Sequence, residues 1–170
     1  PALIAPQRIA GVGQLFAQAP ERNALYYLRE GERHQSARDY RAAAHSFREA
    51  IKRNPGHVRA HLGAARAYFA LHDLTAARAN FERVLELDAG HLAAKTGLGR
   101  TLLRMGAMGP AGELLREVRS AEPGNVPNNF ALGLLYEPQG PLQLAEAHYP
   151  RALRIQPAHV ESLIGMARVK

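Results

Sequence analysis

The sequence predicts an all-α fold, a solenoid of stacked antiparallel helix pairs, on three observations. Small, aromatic and proline positions recur at a fixed step, as in Gly31 and Ala65, which are 34 residues apart. Within each step, apolar residues fall at helical spacing on both sides of a short polar break. Ala and Arg recur throughout while aromatics make up only 6% of the 170 residues, a composition that favours helix. A unit of this size cannot bury its apolar face alone, so the units must stack.

The first segment, residues 1–23, is read as an N-terminal capping helix. Its opening stretch, PALIAPQRIAGVGQLFAQAP, ends in an Ala-Gln-Ala that resembles a signal cleavage site, but Gln7, Arg8 and Gln14 interrupt any apolar run. Residues 6–19 then supply the neighbour that the first repeat would otherwise lack. The chain does not begin with Met, so a targeting signal outside it stays open and the compartment, cytoplasmic or periplasmic, is left undecided.

Four units follow, at 24–57, 58–91, 92–125 and 126–159. One small column runs Gly31, Ala65, Gly99, Gly133 and Ala167; a second runs Ala43, Ala77, Ala111 and Ala145; a bulky column runs Phe47, Phe81, Leu115 and Tyr149. Gly or Ala in the small columns lets two helix backbones approach, and the bulky residue of the partner helix fills the space beside them. In the second unit Leu62, Ala65, Tyr68 and Phe69 form one helix, LHDL breaks it, and Ala77, Phe81, Val84 and Leu85 resume it, with Asp73 and Thr75 as candidate caps. Pro55, Pro123 and Pro157 stop the second helix of their units.

Some positions depart from the columns. Arg38 and His72 stand where later units have Gly106 and Gly140, so the first two interhelix turns are expected to differ in conformation. Glu30 and His34 make the first helix of unit one the least typical. Pro138 and Pro141 flank the turn of unit four, and Pro150 falls inside its second helix, where it removes a hydrogen bond to the Glu146 carbonyl and costs about 3 kcal/mol or a kink near Tyr149. Residues 160–170 read as the first helix of a fifth unit or as a cap, with continuation of the chain beyond Lys170 expected in the first case.

With these residues in hand, the units are seen to resemble tetratricopeptide repeats. The resemblance is carried by Gly31, Tyr40, Ala43, Phe47, Ala50 and Pro55; by Tyr68, Ala77 and Phe81; by Leu98, Gly99, Gly106, Ala111 and Pro123; and by Leu132, Gly133, Tyr136, Gly140, Ala145, Tyr149, Ala152 and Pro157. It implies a right-handed superhelix whose first helices line a concave groove that binds peptides or partner proteins.

That face can be placed by spacing. In unit two Arg59, Leu62, Arg66 and Phe69 are separated by three, four and three residues and form one stripe. Carried along by the period, the stripe reaches Leu28 and Glu32; Ala93, Thr96, Arg100, Leu103 and Arg104; Phe130, Leu134 and Glu137; Ile164 and Arg168. The row Leu28, Leu62, Thr96, Phe130, Ile164 is almost wholly apolar, and the row beside it, Glu32, Arg66, Arg100, Leu134, Arg168, is rich in cations. Such a groove suits a protein or peptide that offers apolar anchors and carboxylates. The alternative is that the arginines are merely solvated and the apolar residues are buried by packing between units.

Other functions find less support. The formal charge of +7, carried almost wholly by Arg, admits nucleic acid, but Tyr68, Tyr136 and Phe81 are committed to the core and the arginines spread over both helix types, which disfavours a nucleic-acid-binding repeat. The Lys and Asn clamp by which chaperone-binding members of the resembling family hold a C-terminal carboxylate is missing: Leu28, Glu32, Gly63, Ala93 and Gly97 stand in its places. No Gly-x-Ser-x-Gly and no phosphate loop occur, GVG at 11–13 and GLG at 97–99 lack the third glycine, and no cysteine is present, so neither an enzyme nor a cofactor is predicted. Attachment to an enzyme as a regulatory repeat region stays open.

His57 and His61, four residues apart on one helical face, raise the question of zinc. The column His57, His91, Asn125, His159 instead assigns His57 to the junction between units, and His61 has Lys95 and Asn129 in its own column, so no metal is predicted. No stretch approaches a membrane span. High Ala and Arg match a GC-rich bacterial genome, where such repeats serve larger assemblies.

Overall fold

A computed structural model describes residues 23–137 and 142–169. Nine helices occupy them: α1 (Ala24–Ser36), α2 (Tyr40–Arg53), α3 (Val58–Ala70), α4 (Leu74–Leu87), α5 (Leu92–Arg104), α6 (Met108–Ala121), α7 (Val126–Tyr136), α8 (Leu142–Ile155) and α9 (Val160–Val169). The capping helix expected within 1–23, and the turn residues Pro138, Gly140 and Pro141, lie outside the described residues.

Local chemistry sets the starts. Asn23, Asp39, Asp73 and Asn125 accept hydrogen bonds from the backbone N–H three residues on, at 2.9, 3.1, 3.0 and 2.9 Å, each satisfying an orphan donor of the first turn. Asp73 is therefore the cap of α4, and Thr75 falls inside its first turn. In the histidine column, Nδ1 of His91 and of His159 accepts from Ala94 and Ser162 N–H, while His57 makes no side-chain cap bond. His61 is buried elsewhere, its ring nitrogens 3.0 Å from Asn80 Oδ1 and 2.9 Å from the Pro55 carbonyl oxygen. Its role is to tie α4 and the preceding turn to α3.

The first two interhelix turns do not differ from the third. Arg38 (φ 60°) and His72 (φ 63°) adopt the same left-handed conformation as Gly106 (φ 80°), correcting the expectation drawn from the change of residue. The turn must reverse the chain over two or three residues, and that geometry is imposed by the packed helices on either side whether or not a Cβ is present.

Packing explains the columns. The Phe47 ring of α2 lies between α1 and α3, where a Cβ on Gly31 would come within 2.6 Å of it and a Cβ on Gly63 within 2.5 Å. Three units on, Tyr149 of α8 sits in the same way against Gly133 of α7 and Gly165 of α9. One bulky side chain per unit thus bolts three helices together, and each fully buried ring stabilises the stack by about 2–3 kcal/mol. Phe47, Phe81, Leu115 and Tyr149 are all at most 2% exposed. Helix α8 passes through Pro150 without ending there.

Every helix contacts the next in sequence, and α1, α3, α5, α7 and α9 also contact one another in series, whereas among the described residues no contacts join α2, α4, α6 and α8 to each other. The odd helices are the closely packed inner layer and the even ones the splayed outer layer. The fold is an all-α solenoid whose inner face is walled by the leading helices.

Candidate functional site

Three adjoining cavities run along the inner layer. The first, about 450 Å³, lies between α1 and α3 and is lined by Glu32, Gln35, Leu62 and Arg66 among others. The second, about 360 Å³, is shared by α1, α3, α5 and the start of α7, with Gln35, Tyr40, Arg66, Phe69, Thr96, Arg100, Asn125 and Pro127 in its walls. The third, about 350 Å³, lies between α3, α5, α7 and α9 and is lined by Phe69, Arg100, Leu103, Arg104, Met108, Phe130, Leu134 and Glu161. Gln35 and Arg66 wall both the first and second; Phe69 and Arg100 wall both the second and third.

Cations and rings interlock at the shared walls. The Arg100 guanidinium carbon lies 5.2 Å from the Phe69 ring centre and 5.9 Å from that of Phe130, and Arg104 lies 4.2 Å from Phe69. These contacts hold planar guanidinium groups against aromatic faces while leaving their N–H edges free to bond. Arg100 is half-buried, and burial, followed by the charge of Arg104, lowers its pKa. Arg66 is exposed as a residue, yet the groove walls desolvate its guanidinium and lower its pKa too.

Ion pairing separates these arginines from several others. Arg33, Arg53, Arg78 and Arg83 each pair with a glutamate of their own helix at 2.7–2.9 Å. Among the described residues, Arg66, Arg100 and Arg104 have no carboxylate within ion-pair distance. Glu161 of α9 exerts an electrostatic pull on Arg100 without reaching it.

Several predicted site residues occupy other roles. Leu28 is 1% exposed and sits in one core cluster with Ala43, Ala44 and Phe47 of α2 and Ala60, Ala64 and Ala67 of α3, so it belongs to the core and not to the groove. Thr96 is 5% exposed and forms the floor of the central cavity rather than an accessible wall. Arg59 lines the first cavity beside Leu62 and Arg66, as expected, but its charge is already met there by Glu32 Oε1 at 2.6 Å, an α1–α3 tie. Ile164, 51% exposed, and Arg168 stand on α9 and line none of the three cavities. Leu62, Arg66, Phe69, Arg100, Leu103, Arg104, Phe130 and Leu134 are brought together along the inner face.

The stripe missed Gln35, Asn125, Pro127 and Glu161. Gln35 is one period before Phe69, and Pro127 and Glu161 are two and three periods after Arg59, so the same step reaches three of them. Asn125 caps α7 and enters the cavity from a helix start, which no stripe on a helix face can report.

One polar atom at the site lacks a partner. Among the described residues, Thr96 Oγ1, Asn128 Oδ1, Asn129 Oδ1 and His148 Nδ1 are buried without a hydrogen bond, and of these residues Thr96 lines a cavity of the groove. Its neighbour Thr101 bonds back to the Gly97 carbonyl at 2.8 Å, as helical threonines commonly do, but Thr96 does not.

Comparison with known proteins bears on this architecture. Two sequence profiles described as "Tetratricopeptide repeat" match residues 28–91 and 69–133, together well over half of the chain. The chain is a tetratricopeptide repeat protein. No curated protein sequence matches it. Among solved structures, a thermophilic tetratricopeptide repeat protein of Thermus thermophilus, TTC0263, is 24% identical with a TM-score of 0.75, covering 86% of this chain and 80% of its own. MamA 41-end of Desulfovibrio magneticus RS-1 is 20% identical with a TM-score of 0.72, covering 86% and 82%. YrrB, described as a tetratricopeptide repeat protein with an unusual peptide-binding site, is 16% identical with a TM-score of 0.68, covering 93% and 81%. At these identities the likeness is one of fold.

No helix among the described residues is long and apolar enough to cross a membrane, and no group of three or more metal-ligating side chains forms there.

Proposed function

We propose that this tetratricopeptide repeat chain captures a partner protein through an exposed peptide segment laid along the inner groove, the segment carrying carboxylates and apolar anchors. The repeats are taken as 24–57, 58–91, 92–125 and 126–159, with 160–170 continuing the array, and the whole as part of a larger bacterial protein or assembly. Its mechanism is presentation of a rigid surface; it performs no chemistry of its own. The observation that carries the reading is that Arg66, Arg100 and Arg104 line one apolar-walled groove with no carboxylate partner among the described residues, and that the groove desolvates the guanidinium groups of Arg66 and Arg100. A partly desolvated cation gains most from an anion brought by a partner. The description of YrrB as having a peptide-binding site lends the same use to a similar fold.

The test is charge reversal. Arg66→Glu combined with Arg100→Glu abolishes partner capture from lysate while far-UV circular dichroism stays unchanged, because both residues line the groove rather than support it. An unaltered set of captured proteins contradicts the reading. Tight binding of random oligonucleotides at physiological salt, falling steeply as salt rises, would favour a nucleic-acid partner instead.

A further inference from the structure

The continuity of the three cavities says how a ligand must be built. We propose that the groove selects a through-running extended segment with an internal acidic residue and a bulky apolar residue two positions away, the acid in the central cavity and the apolar side chain in the cavity beside it. This rests on the peptide-groove reading above and makes its ligand specific.

The central cavity is fitted to a carboxylate. Arg66 and Arg100 offer N–H donors from two helices, and neither has a carboxylate within ion-pair distance among the described residues. A ligand carboxylate that faces the two guanidinium groups pairs with both at once.

The carboxylate is internal to the segment because the cavity is open to neighbours on both sides, through Gln35 and Arg66 in one direction and Phe69 and Arg100 in the other. A chain whose end lay here would leave one neighbour empty. The third cavity takes the apolar side chain: Phe69, Leu103, Phe130 and Leu134 wall it. Since the two cavities share the Arg100–Phe69 wall, their occupants are adjacent on one side of the ligand, and in an extended chain side chains on one side are two residues apart.

The probe is a set of acetylated and amidated peptides of about nine residues, Ser and Ala throughout except for one Glu and one Phe two positions apart, read by fluorescence anisotropy. The Glu/Phe peptide is expected to bind at least tenfold more tightly than its Gln analogue or a version with the pair five positions apart. Arg100→Gln is expected to cost about tenfold on the Glu/Phe peptide and little on the Gln analogue, as for a hydrogen bond to a charged group. An equal loss on both peptides would assign Arg100 a structural role and overturns the proposal. Equal binding of Glu and Gln peptides, binding that requires a free C-terminus, or no binding by any of the set overturns the proposal. If the neutral peptides bind and Arg66→Glu with Arg100→Glu abolishes that binding, the groove reading survives and this specificity alone fails; if binding is indifferent to the double variant, both fail.

Discussion

Arg100 holds its guanidinium 5.2 Å from the ring centre of Phe69, so that a cation of α5 lies over an aromatic of α3 at the wall between two cavities. A lysine there would keep the charge but lose both the planar stack and the paired N–H edges. Arg100→Lys is therefore expected to weaken capture of an acidic, apolar peptide by about fivefold with no change in melting temperature, a size set by a partly exposed cation–π contact. Calorimetric titration reads it, and unchanged affinity would mean that only charge matters.

Two glycine positions should respond in opposite directions. A Cβ on Gly97 would press into the Phe81 ring, so Gly97→Ala is expected to destabilise by about 1–3 kcal/mol even though alanine is the better helix former. Around Gly109, in the first turn of α6, nothing lies within 4 Å, and Gly109→Ala is expected to stabilise by up to about 1 kcal/mol. Urea unfolding of the two variants makes the comparison.

The left-handed turns offer a third test. Arg38 and His72 carry side chains at φ 60° and 63°, where glycine is free of the Cβ clash. Arg38→Gly and His72→Gly are each expected to raise stability by about 0.5–1 kcal/mol, while Gly106→Ala lowers it by a similar amount. Thermal melts that rank these the other way would show the turns to be held by the side chains.

His148 predicts a pH response. Burial first, then the charges of Arg119 and Arg151, lower its pKa below the ordinary 6.5. The unfolded chain then binds a proton more readily than the fold, so stability is full above pH 6.5 and declines as pH falls below it toward the lowered value. His148→Gln is expected to flatten that decline, as followed by unfolding midpoints between about pH 7.5 and 5. An unchanged slope would assign the acid sensitivity to other groups.

The register of the fold was legible because the period is written in residues that pack: Gly31 and Phe47 touch, and so do Gly133 and Tyr149. A further small column, Gly63, Gly97 and Gly165, went unread although it closes the other side of each ring, because its members look like ordinary helix interior until the next unit is stacked on. At the groove, spacing gave the face but not the depth. Leu28 and Thr96 share a row with Phe130 and Ile164, yet the first two are buried and Ile164 is 51% exposed, since how far a row sinks depends on the neighbouring helix and not on its own. Nor can periodicity show which arginines are already paired; Arg59 and Arg66 are alike in sequence until Glu32 is seen to reach only the former.

The central claim is that the odd helices present one binding face, and site-specific photo-crosslinking tests it most directly. A photoreactive phenylalanine analogue placed at Leu103 or Leu134 on the inner layer, or at Arg78 or Arg83 on the outer helix α4, is irradiated in cells and the adducts resolved by mass. The predicted result is a discrete partner adduct from the two inner positions and none from the outer pair; the same adduct from α4, or adducts there alone, would contradict it.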